Sequence, residues 1–293
     1  MFEIDNKLRK SLRVKPGSKV SLARDFDTGF DNGMSQEEAT ESLRESVGRL
    51  AELQDKLYAQ NTYSLLLIFQ AMDAAGKDGT IKHVSSGLNP QGCQVFSFKA
   101  PSAEELDHDY LWRAAKALPE RGRVGIFNRS YYEEVLVVRV HPEILQRQQL
   151  PAKAKGKKVW QRRFEQINNF EKHLVENGTV VLKFFLNVSK EEQKRRFLER
   201  IDEPSKNWKF AAQDVKERAH WDEYMAAYEE CFEETSTKHA PWLVIPADDK
   251  AFMRLAVAGV ICKAMEDLDL EYPVLDEAQT SALSEARATL EAE

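Results

Sequence analysis

One stretch of the chain, residues 64–80, constrains the fold more than any other. It begins with an unbroken apolar run at residues 65–69, which is typical of a strand buried on both faces of a parallel sheet. A turn containing Gly76 and Lys77 follows, and then apolar residues at helical spacing that stop at Asn89 and Pro90. We therefore predict a central strand, a tight turn and a helix in direct succession.

This succession is the one that a phosphate-binding loop requires. Backbone N–H groups at the start of a helix converge on one point, where the helix dipole favours an anion and a lysine adds a full positive charge. The match to G-x-x-x-x-G-K-[ST] is imperfect, because Ala71 replaces the first glycine and Asp78 replaces the Ser/Thr. We interpret Lys77 as a phosphate ligand. The alternative is an ordinary turn in which Gly76 relaxes the backbone and Lys77 is solvated.

The residues around Lys77 are predicted to cradle phosphate groups and a metal ion. A carboxylate beside bound phosphate requires a cation between the two anions, so Asp73 is a candidate Mg²⁺ ligand. The remaining predicted phosphate-binding positions of the loop are Ala74, Ala75, Gly76, Asp78 and Gly79.

Further along the chain, apolar segments alternate with helical ones, which predicts an α/β fold with a mostly parallel sheet covered on both faces. The other predicted strands are residues 94–98, 123–127, 179–186 and 242–245. The main predicted helices are residues 36–59, 102–118, 157–176, a helix that a Ser189–Glu192 capping box opens, and residues 211–234 and 251–265. We expect an extended N-terminal arm at residues 1–34, one domain at residues 35–270 and a mobile acidic tail at residues 271–293.

A second polar cluster, residues 128–134, directly follows the predicted strand at residues 123–127. Open α/β sheets bind ligands at the carboxyl ends of their strands. In phosphate-loop enzymes the strand at this place usually ends in an aspartate that helps to hold Mg²⁺. Here the residue is Asn128.

The net charge of −6 hides an uneven distribution along the chain. Residues 266–293 contain nine acidic residues and one arginine, and subtracting this charge of −8 leaves +2 for residues 1–265. Basic residues cluster at 139–172 and 183–218. These clusters either face an anionic partner or are solvated helix faces.

The composition excludes several other classes of protein. The longest apolar runs are far shorter than a membrane span of about 18 residues, and the first residues lack the order of a signal peptide. We therefore expect a cytoplasmic protein. Its three cysteines and six histidines have no zinc or disulfide spacing.

Residues 189–234 are predicted to form a basic helical lid, interrupted at Pro204, that closes over the substrates. Within it Trp208 lies between Lys206 and Lys209. This tryptophan is either a stacking platform or a packing residue of the lid, and we favour packing.

Four separated segments, in order, resemble the second family of polyphosphate kinases: residues 71–79, 126–134, 203–210 and 235–246. The resemblance implies a three-layer α/β/α P-loop kinase fold of the thymidylate-kinase type with a helical lid. It also implies phosphoryl transfer between inorganic polyphosphate and nucleotides. Asp73 and Lys77 match the metal and phosphate residues of the family, and Arg129 matches an arginine of its second motif. The basic lid residues implied to bind polyphosphate are Arg196, Arg200 and Lys209.

One departure from the family pattern concerns the acceptor. Most members carry Asp where this chain has Asn128, and Asn128 together with Glu133 resembles a subgroup that phosphorylates both nucleoside mono- and diphosphates. The implied metal residues are then Asp73, Asn128 and Glu133. The implied partners are polyphosphate, AMP, ADP and ATP, with Mg²⁺ as cofactor, a homo-oligomeric assembly and no nucleic acid. Two rivals stay open: an ATP-dependent nucleoside monophosphate kinase, and a non-enzymatic binder of phosphate or nucleic acid.

Overall fold

The computed structural model describes residues 4–293 and contains one parallel sheet of five strands. The strands are β1 (Ser64–Gln70), β2 (Cys93–Ser97), β3 (Val124–Asn128), β4 (Thr179–Asn187) and β5 (Trp242–Pro246). Their order in the sheet is β2-β3-β1-β4-β5, and every neighbouring pair is parallel. The predicted mostly parallel α/β sheet is confirmed.

Helices cover the sheet in two layers. The helices are α1 (Asn6–Leu12), α2 (Leu22–Asp25), α3 (Gln36–Gln60), α4 (Lys77–Val84), α5 (Ala103–Leu106), α6 (Trp112–Ala115), α7 (Val137–Val140), α8 (Pro142–Arg147), α9 (Val159–Glu176), α10 (Lys190–Asp202), α11 (Ala212–Glu217), α12 (Trp221–Thr235), α13 (Lys250–Glu266) and α14 (Glu277–Glu291). Helices α3 and α4 pack against α13, whereas α12 packs against α7 and α9. The site described below lies between these layers.

The central position of β1 follows from its side chains. All seven of its residues are buried, so both faces must be covered and both edges must be paired. Its register with β3 aligns Phe69 with Asn128, and its register with β4 aligns Gln70 with Phe185. The carboxyl ends of three strands therefore meet where the phosphate loop (residues 71–79) begins.

Four segments differ from the sequence prediction, and one of them is the predicted helix at residues 211–234, which is divided into α11 and α12. The predicted helix at residues 102–118 is two short helices, because Asp109 accepts a hydrogen bond from the backbone of Leu111 and ends the regular pattern. The acidic tail at residues 271–293, for which no helix was predicted, contains α14, whose side chains are all exposed.

The N-terminal arm also differs from expectation. The described part of residues 1–34 is not simply extended: it contains α1 and α2, and the backbone N–H of Val14 donates to the carbonyl of Trp242 at 3.0 Å. Arm residues therefore cover the outer edge of β5. Their buried apolar side chains are Ile4, Leu8, Leu12, Val14, Val20 and Leu22.

Candidate active site

The phosphate loop turns sharply between β1 and α4, and its backbone requires a glycine at one position. Gly76 has φ +110°, a left-handed conformation that other residues rarely adopt. A Cβ atom there would also lie 3.1 Å from Cε of Met253. Ala74 has φ +60° as well. The loop is therefore a tightly constrained turn at the start of a helix, as the motif predicts.

Lys77 is the first residue of α4, and its ammonium group is folded back over the loop. Its Nζ donates to the carbonyl oxygens of Ala71 at 2.7 Å and Met72 at 3.3 Å. Burial, and after it the positive charge of Arg129, lowers the pKa of Lys77 to about 8. The solvated lysine of the alternative interpretation is wrong, because the side chain is buried. Among residues 4–293 no carboxylate forms a direct ion pair with Lys77. A bound anion would therefore stabilise this buried charge.

Arg129 links the two predicted clusters. Its guanidinium contacts Asp73 Oδ1 at 2.9 Å and Glu133 Oε2 at 3.1 Å. Its backbone N–H donates to the carbonyl of Phe69, and its φ of +64° turns the chain sharply after β3. Glu133 is the largest cause that raises the pKa of Arg129. Loop and strand end thus form one charged cluster.

Asn128 and Asp78 lie on the other side of this cluster. The Asn128 amide nitrogen donates to Asp78 Oδ1 at 2.6 Å, and the side-chain oxygen of Asn128 has no hydrogen bond to residues 4–293. An aspartate at position 128 would instead face Asp78 with a second negative charge. Asp78 therefore accepts a hydrogen bond in the place where the usual motif has a hydroxyl.

The predicted metal residues can be tested by the chemistry of their donor atoms. Within residues 4–293, no cluster of three or more His, Cys, Asp or Glu side chains could hold a metal alone. Magnesium, however, commonly binds through one or two carboxylates together with substrate phosphates and water. Asp73 and Glu133 each bind Arg129 through one carboxylate oxygen, and the other oxygen of each has no hydrogen bond within the described part of the chain. These donors therefore fit a magnesium ion that arrives with its substrate.

Arg196 does not occupy the position expected of a polyphosphate ligand. Its side chain is 4% exposed, and its guanidinium donates to the carbonyls of Ala74, Ala75, Ala247 and Asp248 and to Glu192. Every nitrogen is already engaged. The prediction that Arg196 binds polyphosphate is therefore corrected: it fastens α10 to the phosphate loop. The Glu192 carboxylate binds Arg196 instead of the backbone N–H of Ser189. Of the predicted capping box, only the hydrogen bond from the Glu192 backbone to the Ser189 hydroxyl is formed.

Arg200 and Lys209, the other predicted polyphosphate ligands, are more accessible. Arg200 is 3.8 Å from Asp214. Burial is the largest cause that raises the pKa of Asp214, and the negative charge of Asp73 is the second largest. This part of the lid therefore interacts electrostatically with the charged cluster. Lys209 lies over the ring of Trp208 at 5.1 Å. The expected packing of Trp208 is wrong, because this side chain is 78% exposed.

The sequence profile of polyphosphate kinase 2 matches residues 33–273, most of the chain and every part of the site. The chain belongs to the polyphosphate kinase 2 family. The ADP-polyphosphate phosphotransferase of Rhodopseudomonas palustris is 56% identical over 283 residues, which are 96% of this chain and 98% of that protein. The AMP/ADP-polyphosphate phosphotransferase of Meiothermus ruber is 43% identical and covers 90% of this chain and 95% of its own length.

Solved structures agree with this assignment to the polyphosphate kinase 2 family. The crystal structure of polyphosphate kinase 2 from Arthrobacter aurescens TC1 superposes with a TM-score of 0.83 at 44% identity. The match covers 93% of this chain and 94% of that one. The predicted three-layer P-loop kinase fold is confirmed. Within the described residues, the helices are too short or too polar to cross a membrane.

Several site residues of this polyphosphate kinase 2 family member were missed by sequence reasoning. Gln193 donates to the backbone carbonyl of Asp73 at 2.9 Å and so holds the loop from α10. Tyr224 and Tyr228 lie one turn apart on α12, and the negative charges of Glu133 and Asp73 contribute to raising the pKa of both phenols. The spacing of the two tyrosines indicates a shared helix face, but only the packing of α12 reveals that this face points to the site.

Proposed function

We propose that this protein transfers phosphoryl groups from inorganic polyphosphate to AMP and ADP, reversibly and with Mg²⁺. The observation that carries the proposal is Arg129, held between Asp73 and Glu133 at the mouth of a phosphate loop that contains Lys77. Family membership supports polyphosphate as the donor. The names of the relatives in Rhodopseudomonas and Meiothermus support nucleotide acceptors.

Phosphoryl transfer requires positive charge near the transferred group and alignment of the two substrates, but it does not require a strong general base. A terminal phosphate has a second pKa of about 6, so the attacking oxygen is already largely ionised at neutral pH. The transferred group spreads negative charge over its oxygens in the transition state, and fixed cations stabilise that charge. In our proposal Lys77 leaves its two carbonyl partners to contact a phosphate, and Arg129 contacts the transferred group from the opposite side.

Magnesium, when bound, would neutralise phosphate charge and hold two phosphates in line. Asp73 would be its main protein ligand, with Asn128 and Glu133 nearby. Because one phosphoanhydride is broken and a similar one is formed, the reaction is expected to run in both directions.

The nearest rival is an ATP-dependent nucleoside monophosphate kinase with the same fold. The deciding experiment supplies polyphosphate and Mg²⁺ with either AMP or ADP as the sole nucleotide, and measures ADP and ATP formation separately. Formation of ADP from AMP as the sole nucleotide, and formation of ATP from ADP that requires polyphosphate, support the proposal, because the rival can make ATP and AMP from two ADP molecules without polyphosphate. Product formation that requires added ATP would support the rival, and binding without turnover would support a non-enzymatic binder.

The acceptor range is the finer part of the proposal, since one relative is named for ADP and the other for AMP and ADP. AMP is one phosphate shorter than ADP, so a site that accepts both must tolerate two depths of nucleotide. We propose that Glu133 provides this tolerance through a second metal position. Glu133→Ala should then lower the AMP rate more than the ADP rate, whereas Glu133→Gln, which keeps the size, isolates the charge. An unchanged rate ratio in both variants would remove Glu133 from this role.

A further inference from the structure

The hydroxyl of Tyr228 is a hydrogen-bonding group without a partner among the residues that the structure describes. The residue is 3% exposed, and buried tyrosine hydroxyls usually find a partner. Those of Tyr131 and Tyr132 donate to Glu171, and that of Tyr224 donates to Glu217. The hydroxyl of Tyr228 has no such bond to residues 4–293. It is also absent from the fully enclosed polar atoms that lack a partner, so it borders open space.

Packing places this hydroxyl at the carboxyl ends of the central strands. The Tyr228 ring contacts Phe185 with 4.4 Å between centroids, and Phe185 is the register partner of Gln70, the last residue of β1. Register partners on neighbouring strands point to the same face of a sheet. Gln70 in turn donates to Ser130, at the start of the turn that carries Glu133. Tyr228 therefore lies over the junction between the phosphate loop and this turn.

A second unused atom lies at the same junction. Gln70 is fully buried, and its Oε1 has no hydrogen-bond partner in the described part of the chain. Buried polar atoms without partners are uncommon in native proteins and each calls for an explanation, such as a bound water or ligand. The Gln70 side-chain carbonyl oxygen can only accept a hydrogen bond, so of the two groups at this junction only the Tyr228 hydroxyl, which borders open space, can donate to a bound anion.

The charges around Tyr228 decide which role its hydroxyl can play. Burial raises the pKa of Tyr228 well above its ordinary value, and Glu133 raises it next, while Arg129 acts in the opposite direction. Tyr224 and Asp73 also raise the pKa of this phenol. The phenol thus stays protonated at working pH and acts as a neutral donor.

We propose that Tyr228 is a further catalytic residue, whose hydroxyl donates a hydrogen bond to a phosphate oxygen of the bound substrate. This inference rests on the proposed function. A neutral donor adds a contact beside Lys77 and Arg129 without repelling a metal ion. The phosphate oxygen belongs either to the nucleotide or to polyphosphate, and the experiment below separates these sources.

Tyr228→Phe removes only the hydroxyl, and Tyr63→Phe is its matched control. Tyr63 precedes β1 at the opposite, amino-terminal end of the same strand, and its hydroxyl has no hydrogen bond to the described residues either. We expect Tyr228→Phe to lower kcat/KM by about tenfold to 100-fold, as for loss of one hydrogen bond to a charged group. Its melting temperature should stay within about 1 °C of wild type, because no hydrogen bond to residues 4–293 is lost.

The kinetic parameters distinguish the partner. A rise in the KM for ADP alone assigns the contact to the nucleotide, a rise in the KM for polyphosphate alone assigns it to the donor, and a fall in kcat assigns it to the transferred group. Calorimetric binding of ADP and of tripolyphosphate provides a second readout that does not depend on turnover. Unchanged kinetics and unchanged binding in Tyr228→Phe would overturn the assignment, as would a loss of activity matched by a large loss of stability. Absence of turnover in the wild type would instead refute the proposed function, and the binding measurement would still test Tyr228.

Discussion

Replacing Arg196 by alanine tests whether this residue is a buried brace or a polyphosphate ligand. Arg196 lies on α10, and its guanidinium joins three parts of the chain: α10 itself through Glu192, the phosphate loop through Ala74 and Ala75, and the segment after β5 through Ala247 and Asp248. Alanine would leave four backbone carbonyl oxygens without their donor. Water cannot replace the guanidinium freely, because the side chain is 4% exposed.

The size of the effect follows from this burial. Removing one partner from a buried charged network costs about 3–5 kcal/mol of unfolding free energy. For a chain of this size, 1 kcal/mol corresponds to a shift in melting temperature of about 1.6 °C. We therefore expect Arg196→Ala to melt about 5–8 °C below wild type. Arg196→Lys should recover only part of this loss, since an ammonium group lacks the fork that reaches both pairs of carbonyls.

Arg195→Ala is the matched control, because Arg195 shares the same helix and the same partner, Glu192, but is 61% exposed. Its effect on stability should be below about 1 kcal/mol, as for other surface ion pairs. Thermal melts and urea titrations of the three variants provide the comparison, together with KM values for polyphosphate and ADP. If Arg196→Ala keeps wild-type stability and raises only the KM for polyphosphate, Arg196 is not a structural brace but the polyphosphate ligand that the sequence predicts.

Three further predictions concern the site and the lid. Because the pKa of Lys77 is lowered to about 8, its positive charge is present below that pH and is lost above it, so kcat/KM should fall above pH 8. Lys77→Arg should abolish this fall in kcat/KM. A wild-type profile that stays flat to about pH 10 would contradict the argument. Asp73→Ala should lower kcat by at least about 100-fold with circular dichroism unchanged, and near-normal turnover would exclude Asp73 as a metal ligand. Trp208→Ala should leave the melting temperature within about 1 °C, since its ring is exposed, so a larger drop would indicate packing that the structure lacks.

Much of this molecule was determined by local sequence patterns. The apolar run of β1 required burial on both faces, and it lies at the centre of the sheet. Ser35 and Glu38 form a capping box at the start of α3, as a serine followed three residues later by a glutamate favours. Gly76 and Lys77 take the places that the phosphate loop assigns to them. In each case the physical cause acts within a few residues of the chain, so the pattern is readable from the sequence alone.

Tertiary structure decided the features that depend on which surfaces meet. Arg196 and Arg200 are one turn apart on α10, and only the packing of α10 on the phosphate loop shows that the first is enclosed by carbonyl oxygens while the second stays accessible. The helical spacing of Tyr224 and Tyr228 predicts a shared face, but the contact between Tyr228 and Phe185 places that face at the site. Similarly, the ion pair of Arg129 with Asp73 joins residues 56 positions apart. Such pairings arise when parallel strands bring their carboxyl ends together, which no local pattern records.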